Sequence, residues 1–169
     1  FKKNLIELRK LKVKVIDFTG GEPLLHRGLG NMLSLAKEAG FVTTVTTNCL
    51  LYPKRANELK GKIDMLHFSM DFSTAEKHNK SRGVDCFSHI INSIAIAEKL
   101  GERPDVLVTV HEENIDEIKA IYEQFCLPNK LVLILNPIFS YNKIDEHGGL
   151  KDEHFKKLRY WAKKKYIFL

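Results

Sequence analysis

Apolar segments typical of β-strands alternate with helical segments along most of this 169-residue chain. Each predicted strand is short and rich in β-branched or aliphatic residues, and each predicted helix repeats its apolar residues every three or four positions. This alternation predicts a parallel α/β sheet with right-handed crossovers. After a helical pattern at the N-terminus, the predicted strands span 13–18, 41–47, 64–70, 105–110 and 131–135, and the predicted helices span 29–39, 53–60, 86–100, 115–125 and 152–164. A polar loop is predicted at 73–83, and Asp85 is the expected N-cap of the helix at 86–100. Residues 166–169 are typical of the beginning of a strand.

The number of strands limits the possible architectures. Five strands are too few for a complete eight-stranded barrel, so they form either an arc of an incomplete parallel barrel or an open doubly wound sheet. An open sheet concentrates its ligand groups at one switch point, whereas a barrel uses the carboxyl ends of its strands all round. Polar groups follow every predicted strand, which favours the barrel arc. They are Thr19 to Glu22, Thr47, Asn48, Ser69, Asp71, His111 to Asn114, and Asn136.

The turn after the first predicted strand has an unusual composition. It reads Thr-Gly-Gly-Glu-Pro at 19–23. Gly20 and Gly21 have no Cβ, so a ligand can approach the bare backbone there, and Pro23 fixes the chain direction. Glu22 lies between them and can face a cation. Such a turn suits a small zwitterionic ligand whose ammonium group needs carbonyl oxygens and a carboxylate.

The net charge of +6 raises the question of nucleic-acid binding. Much of the excess lies at 2–14 and 151–165, where apolar residues recur at helical spacing between the lysines. That pattern is typical of a helix with a solvated basic face. No interleaved aromatic residues of the kind that stack on bases are evident. We therefore expect no nucleic-acid partner.

The cysteine and hydropathy patterns bear on the compartment. Cys49, Cys86 and Cys126 are odd in number and far apart, which predicts free thiols in a reducing compartment such as the cytoplasm. None of them has the close spacing of a metal motif, so no metal ligand is assigned. No apolar run reaches about 18 residues, so no membrane span is expected.

Four short motifs occur on successive strand ends or just beyond them. They are Gly-Gly-Glu-Pro at 20–23, Thr-Thr-Asn at 46–48, Ser-Met-Asp at 69–71, and a segment from His78 to Arg82 and Gly83. In this order and placement the chain resembles the radical S-adenosylmethionine (SAM) enzymes, from about residue 13 to about residue 137. The resemblance implies a partial parallel (β/α)6 TIM-like barrel, of which five strands are present in this chain.

The resemblance also implies a cofactor set and a reaction. Members bind a [4Fe–4S] cluster through a C-x-x-x-C-x-x-C loop, and SAM binds the remaining iron. Reductive cleavage of SAM gives a 5′-deoxyadenosyl radical that abstracts hydrogen from a substrate. The expected partners are a small-molecule or peptide substrate and an electron donor such as flavodoxin or ferredoxin. The substrate itself is not identified by these motifs.

One departure from the family pattern is serious. The cysteine triplet and the strand that precedes it are missing from this sequence. We expect that the cluster ligands lie upstream of Phe1 and that this chain alone is inactive. The expected division is a core barrel fragment at 1–150, and a terminal helix with the start of a C-terminal extension at 151–169. Loss of the first strand would also leave the next strand with an unpaired edge.

The resemblance assigns SAM-binding roles to residues of the turn and of the next strand end. Gly20, Gly21 and Glu22, followed by Pro23, would hold the ammonium group of SAM with backbone carbonyls and the Glu carboxylate. Asn48 would hydrogen-bond SAM or tie neighbouring loops together.

Three further residues are assigned to SAM from the next strand and its loop. Ser69 and Asp71 alternate with Met70, so both point to one side of the strand and would bond ribose hydroxyls or the methionine part. Arg82 would pair with the SAM carboxylate, because a guanidinium matches a carboxylate in two-pronged fashion. His78 is expected to position the loop rather than to transfer protons. No residue is assigned a catalytic role.

Two other functions remain open from the sequence. One is a cluster-free SAM- or nucleotide-binding module with a regulatory or scaffold role. The other is an unrelated barrel enzyme, for example a metal-dependent lyase or hydrolase, with ligands drawn from Asp71, His111, Glu112 and Glu113. An upstream cysteine triplet would discriminate against the first, and the second predicts carboxylate or His ligands on several strand ends.

Overall fold

The computed structural model describes residues 1–138, 150–164 and 167–168. The chain falls into two compact units. Unit 1 comprises Phe1–Phe68 and His89–Pro104, and unit 2 comprises Ser69–Ser88 and Asp105–Leu169. None of the described helices is long and apolar enough to cross a membrane.

Strands and helices alternate through the described residues, as the sequence predicts. Two 3₁₀ turns and one π-helical turn interrupt the α-helices. The elements in chain order are α1 (Lys2–Lys10), β1 (Val15–Phe18), a 3₁₀ turn (Pro23–Leu25), α2 (Leu29–Glu38), β2 (Val42–Thr47), α3 (Tyr52–Leu59), β3 (Met65–Ser69), α4 (Ala75–Arg82), α5 (Phe87–Leu100), β4 (Asp105–Val110), a 3₁₀ turn (Ile115–Glu117), α6 (Ile118–Ile121), a π turn (Tyr122–Cys126), α7 (Leu127–Asn129), β5 (Leu133–Pro137), α8 (Asp152–Trp161) and β6 (Ile167–Phe168).

Unit 1 contains the parallel strands β1, β2 and β3. Phe18 lies opposite Val45 and Thr47 lies opposite Phe68, so the carboxyl ends of the three strands reach the same edge. The buried apolar side chains of the unit pack against this sheet and its helices. Fully buried members are Leu24, Leu29, Leu33, Val45, Tyr52, Leu59 and Phe68.

Unit 2 contains the parallel strands β4, β5 and β6. Val106 lies opposite Leu133, which in turn lies opposite Ile167. The sequence predicts five strands and the beginning of a further strand at the end of the chain. The structure adds β6 as a sixth, two-residue strand, while residues 166 and 169 of that segment lie outside the described residues. The parallel α/β class is confirmed within each unit.

The predicted polar loop at 73–83 is wrong, because this segment contains the helix α4. Its sequence has no apolar stripe, and His78 is its one buried residue. Helical periodicity therefore gave no signal. Gly83 ends the helix with φ 66°, in the left-handed region that a glycine at this position adopts without strain. Arg82 is thus the last residue of a helix and not a loop residue.

The start of α5 is capped from α4. From the sequence, Asp85 is the expected N-cap of this helix. Instead, Asn79 Oδ1 accepts hydrogen bonds from the backbone N–H of Cys86 at 3.1 Å and of Phe87 at 2.9 Å. Asp85 Oδ1 accepts from Asn79 Nδ2 at 2.7 Å, so Asp85 orients the capping amide. Two N–H groups at the start of the helix are thus satisfied by a side chain seven and eight residues upstream.

We predict that this chain self-associates through β1. Within the described residues β1 pairs with β2 on one side, and its first residue, Val15, is 49% exposed. A free strand edge is a template for pairing with another chain. Ile16→Lys should therefore shift the sedimentation coefficient of the concentrated chain toward that of the monomer. A wild-type chain that stays monomeric at every concentration in analytical ultracentrifugation would contradict the prediction.

Candidate functional site

The glycine turn, defined as residues 19–23, follows β1 in unit 1. Gly20 has φ 89° and Gly21 has φ 20°, both positive. A Cβ built on either glycine meets no heavy atom within 4 Å. Packing against the described residues therefore does not explain why these two positions are glycine. The turn leaves room beside its backbone, which a ligand can use.

The Glu22 carboxylate binds the turn to the end of β2. Its Oε1 accepts from the backbone N–H of Leu24 at 3.0 Å and from Thr47 Oγ1 at 2.8 Å. Its Oε2 accepts from the backbone N–H of Asn48 at 2.8 Å. An ionised carboxylate has about four acceptor positions, so one position remains on Oε2. Glu22 thus both fixes the turn and keeps acceptor capacity for a cation.

The residues after β2 are held by short local hydrogen bonds. Thr47 Oγ1 accepts from the N–H of Cys49 at 3.1 Å, and Asn48 Oδ1 accepts from the N–H of Leu50 at 3.0 Å. Cys49 is fully buried and has φ 69°, a conformation that favours glycine. The amide nitrogen of Asn48 remains as the donor that a ligand can use.

In unit 2, Asp71 connects two elements. Its Oδ1 accepts from the backbone N–H of Thr109 in β4 at 3.0 Å, and its Oδ2 lies 2.6 Å from Arg82 Nη2 at the end of α4. Asp71 is 5% exposed and Ser69, the last residue of β3, is 7% exposed. The ion pair with Asp71 orients Arg82, whose guanidinium has further donors.

His78 packs beneath this ion pair. Its Nδ1 accepts from the backbone N–H of Asp71 at 3.2 Å, and its side chain is fully buried. Burial lowers the pKa of His78 to about 4; the Asp71 charge opposes this and the Arg82 charge adds to it. The imidazole is therefore neutral near pH 7 and carries its proton on Nε2.

The described residues do not provide a cluster or metal site. Among them, no three His, Cys, Asp or Glu side chains lie close enough together to hold a metal ion. Burial raises the pKa of the Cys126 thiol to about 12 and also raises that of Cys86. Such thiols stay protonated at neutral pH, whereas metal ligation requires thiolates. The alternative of a metal site built on Asp71, His111, Glu112 and Glu113 receives no support from this geometry.

The family model described as the Radical SAM superfamily matches residues 2–125. The chain therefore belongs to the radical SAM superfamily. Similar curated proteins carry the description probable GTP 3′,8-cyclase. That of Saccharolobus islandicus is 30% identical over 151 residues, covering 85% of this chain and 49% of the relative. That of Methanosarcina mazei is 31% identical over 140 residues, covering 78% of this chain and 40% of the relative. The chain thus spans half or less of the length of these relatives.

Solved structures show the same fold. Streptococcus suis SuiB bound to S-adenosylmethionine gives a TM-score of 0.79 at 16% identity, covering 99% of this chain and 42% of SuiB. The protein anSMEcpe with bound AdoMet and Cp18Cys peptide gives a TM-score of 0.72 at 19% identity, covering 91% of this chain and 50% of anSMEcpe. These likenesses confirm the predicted fold class, a partial (β/α) barrel of the TIM type.

The predicted site residues fall into two groups. Unit 1 brings Gly20, Gly21, Glu22 and Pro23 together with Asn48, and unit 2 brings Asp71 together with Arg82. Ser69 makes no side-chain hydrogen bond to these residues. The site-residue prediction did not include Thr47, which donates to Glu22 and belongs to the Thr-Thr-Asn motif. It also did not include Thr109, whose contribution is a backbone N–H and therefore leaves no mark in the sequence.

Proposed function

We propose that this chain is the SAM-binding core of a radical SAM enzyme. In the complete protein a [4Fe–4S] cluster, held by cysteines upstream of Phe1, supplies the electron that cleaves SAM to a 5′-deoxyadenosyl radical for hydrogen abstraction from the substrate. The observation that carries the proposal is the open glycine turn inside a chain whose residues 2–125 match the superfamily. The proposal also includes an electron donor, such as flavodoxin or ferredoxin, and a cytoplasmic location.

In unit 1 we assign the ammonium group of SAM to the glycine turn. Backbone carbonyls of Gly20 and Gly21 are approachable because nothing fills the Cβ positions. The remaining acceptor position of Glu22 adds a negative charge, which strengthens a hydrogen bond from an ammonium group. Asn48 contributes an amide donor beside the turn. Pro23 begins the 3₁₀ turn and fixes the direction in which the chain leaves the site.

Unit 2 offers groups for the other parts of SAM. Arg82, oriented by Asp71, is the proposed partner of the carboxylate. Ser69 and Asp71 are the proposed partners of the ribose hydroxyls or the methionine part. His78 acts through the Asp71 backbone and touches no ligand in this proposal. The division into a core at 1–150 and the start of an extension at 151–169 is also a proposal.

The substrate class follows from the relatives and is a proposal as well. Their description, probable GTP 3′,8-cyclase, together with 30–31% identity, favours a small-molecule nucleotide. The solved structures with bound peptides are 16–20% identical, so they support the fold alone. A peptide substrate is therefore the second choice.

A cluster-free SAM- or nucleotide-binding module is the competing function. Because the enzyme proposal places the cysteines upstream of Phe1, both functions agree with the lack of a three-ligand group among the described residues. Anaerobic iron–sulfur reconstitution of the product of the full open reading frame, followed by iron analysis and EPR, separates the two. About four irons per chain and 5′-deoxyadenosine formation support the enzyme. No bound iron, with SAM affinity intact, supports the module.

We predict that Gly21→Val in the full-length protein weakens SAM binding at least tenfold. The valine side chain would occupy the space beside the turn, and its β-branch would also strain the positive φ. Calorimetric titration with SAM measures the change.

Gly40→Val is the matched control for that titration. Gly40 has φ 82°, and a Cβ there also meets nothing within 4 Å. A valine at positive φ is thus introduced at the end of α2, outside the glycine turn. Equal SAM affinity in wild type and Gly21→Val, or an equal loss in both variants, would contradict the role of the turn.

A further inference from the structure

Unit 2 contains a cavity of about 600 Å³ that the SAM assignments do not use. Its lining includes Phe72, Lys77, Lys80, Ser81, His111 and Glu113. This volume lies within the range of about 300–1,000 Å³ found for small-molecule sites. The lining combines an aromatic wall with charged groups, so it suits a ligand that has both a ring and an ionised part.

The aromatic wall is formed by Phe72 and His111. Their ring centroids lie 5.9 Å apart at an interplanar angle of 67°, the edge-on arrangement that aromatic pairs prefer. Phe72 is 6% exposed, so its position is fixed by packing. A planar heterocycle can pack against this wall without displacing charged groups.

The cationic side of the cavity is one face of α4. Lys77, Lys80 and Ser81 are spaced i, i+3 and i+4, which places them side by side on a helix. Two ammonium groups and a hydroxyl supply donors for several oxygens at once. A single carboxylate offers two oxygens, whereas a chain of phosphates offers many, so this face fits an oligophosphate better.

Lys77 is held in place by an anchored carboxylate. Its Nζ lies 2.6 Å from Glu117 Oε1, and Glu117 Oε2 accepts from both the N–H and the hydroxyl of Ser73. Burial alone would raise the pKa of Glu117, but the bonds from Lys77 and Ser73 outweigh it and hold that pKa below its usual range. The pair is therefore charged at neutral pH.

Lys80 has a different electrostatic position from Lys77. Among the described residues Lys80 forms no ion pair, whereas Lys77 pairs with Glu117. The Glu113 carboxylate in the lining accepts hydrogen bonds and repels phosphate. It therefore suits a hydroxyl or an exocyclic amine at another part of the ligand.

We infer that this cavity binds a nucleoside triphosphate, with its base against Phe72 and His111 and its phosphates against Lys80 and Lys77. The inference rests on the proposed function, for which this nucleotide is the substrate. It adds the residues that recognise the substrate and predicts that they are separable from those that bind SAM.

The test is calorimetric titration of the full-length protein with GTP and, separately, with inorganic tripolyphosphate. Lys80→Glu should weaken the binding of both at least tenfold and leave SAM affinity within twofold of wild type. Lys99→Glu is the matched control, because Lys99 also lies in the last turn of a helix and undergoes the same charge reversal. We expect it to leave all three affinities unchanged.

The outcomes distinguish this inference from the proposed function. SAM binding without GTP or tripolyphosphate binding, or equal binding by wild type and Lys80→Glu, would overturn the inference alone. Absence of SAM binding in the wild-type protein would overturn the proposed function. If Lys80→Glu fails to fold by circular dichroism, Lys80→Ser replaces it and should weaken tripolyphosphate binding to a smaller but measurable extent.

Discussion

Acidification from pH 6.5 to pH 4.5 should lower the free energy of unfolding by about 2 kcal/mol through His78 alone. The folded protein holds this imidazole neutral, with a pKa of about 4 against an ordinary value of 6.5. The unfolded chain therefore binds a proton in this interval that the folded chain does not. Stability due to this group is complete above pH 6.5 and is lost as the pH falls toward 4.

His78→Asn tests this expectation directly. The asparagine Oδ1 can replace Nδ1 as the acceptor for the Asp71 N–H, but it does not titrate. The variant should lose some stability at pH 7 from the smaller side chain, and its stability should then change less between pH 6.5 and 4.5. Urea denaturation at several pH values measures both effects.

The carboxylates titrate in a lower interval and do not obscure the result. Bonds from Arg55 hold the pKa of Glu58 low, and bonds from Lys37 and Thr43 do the same for Asp64 against the effect of burial. The pKa of Glu117 is also held low, by bonds from Lys77 and Ser73 that outweigh the effect of burial. Their stabilisation is present above pH 4.5 and is lost below it. His89→Asn, in α5, is the control variant, and a pH profile of His78→Asn that parallels wild type would contradict the role of His78.

The fold was predictable where burial is periodic. Strands β1, β2 and β4 and helices α2 and α5 carry repeating apolar residues, and the structure places their bounds within one or two residues of the prediction. Helix α4 was missed because its only buried residue, His78, is polar, so its sequence has no apolar periodicity that would indicate a helix. The end of the chain was ambiguous for a different reason, since β6 pairs through two residues only.

The glycine turn was predictable because its conformation depends on the residues of the turn itself. Positive φ angles and bare backbone depend on Gly20 and Gly21 themselves, and the structure shows both features. The contacts of Glu22 with Thr47 and Asn48 join residues 25 and 26 positions apart. Such contacts depend on the register of β1 with β2, which composition and spacing do not specify. The same holds for the cap that Asn79 provides to α5.

Glu22→Ala should lower the free energy of unfolding by about 2–4 kcal/mol, because three donors lose one charged acceptor. The stranded groups are the N–H of Leu24, the N–H of Asn48 and the hydroxyl of Thr47. Glu22→Gln keeps an oxygen for Leu24 and Thr47 but places an NH₂ group against the Asn48 N–H. Its expected cost is about 1–2 kcal/mol.

Chemical denaturation of both variants, with SAM affinity measured in the full-length protein, separates the two roles of Glu22. If the remaining acceptor position binds the SAM ammonium, Glu22→Gln should lose more SAM affinity than its small loss of stability explains. The variant keeps most of the turn but lacks the negative charge. Thr47→Val removes the hydroxyl that donates to Glu22 and accepts from the Cys49 N–H. It should be intermediate in stability, and Thr47→Ser should restore the lost stability. Glu7→Ala, which removes an exposed carboxylate paired with Lys10 alone, should change neither quantity. Equal stability of wild type and Glu22→Ala would show that this carboxylate does not hold the turn.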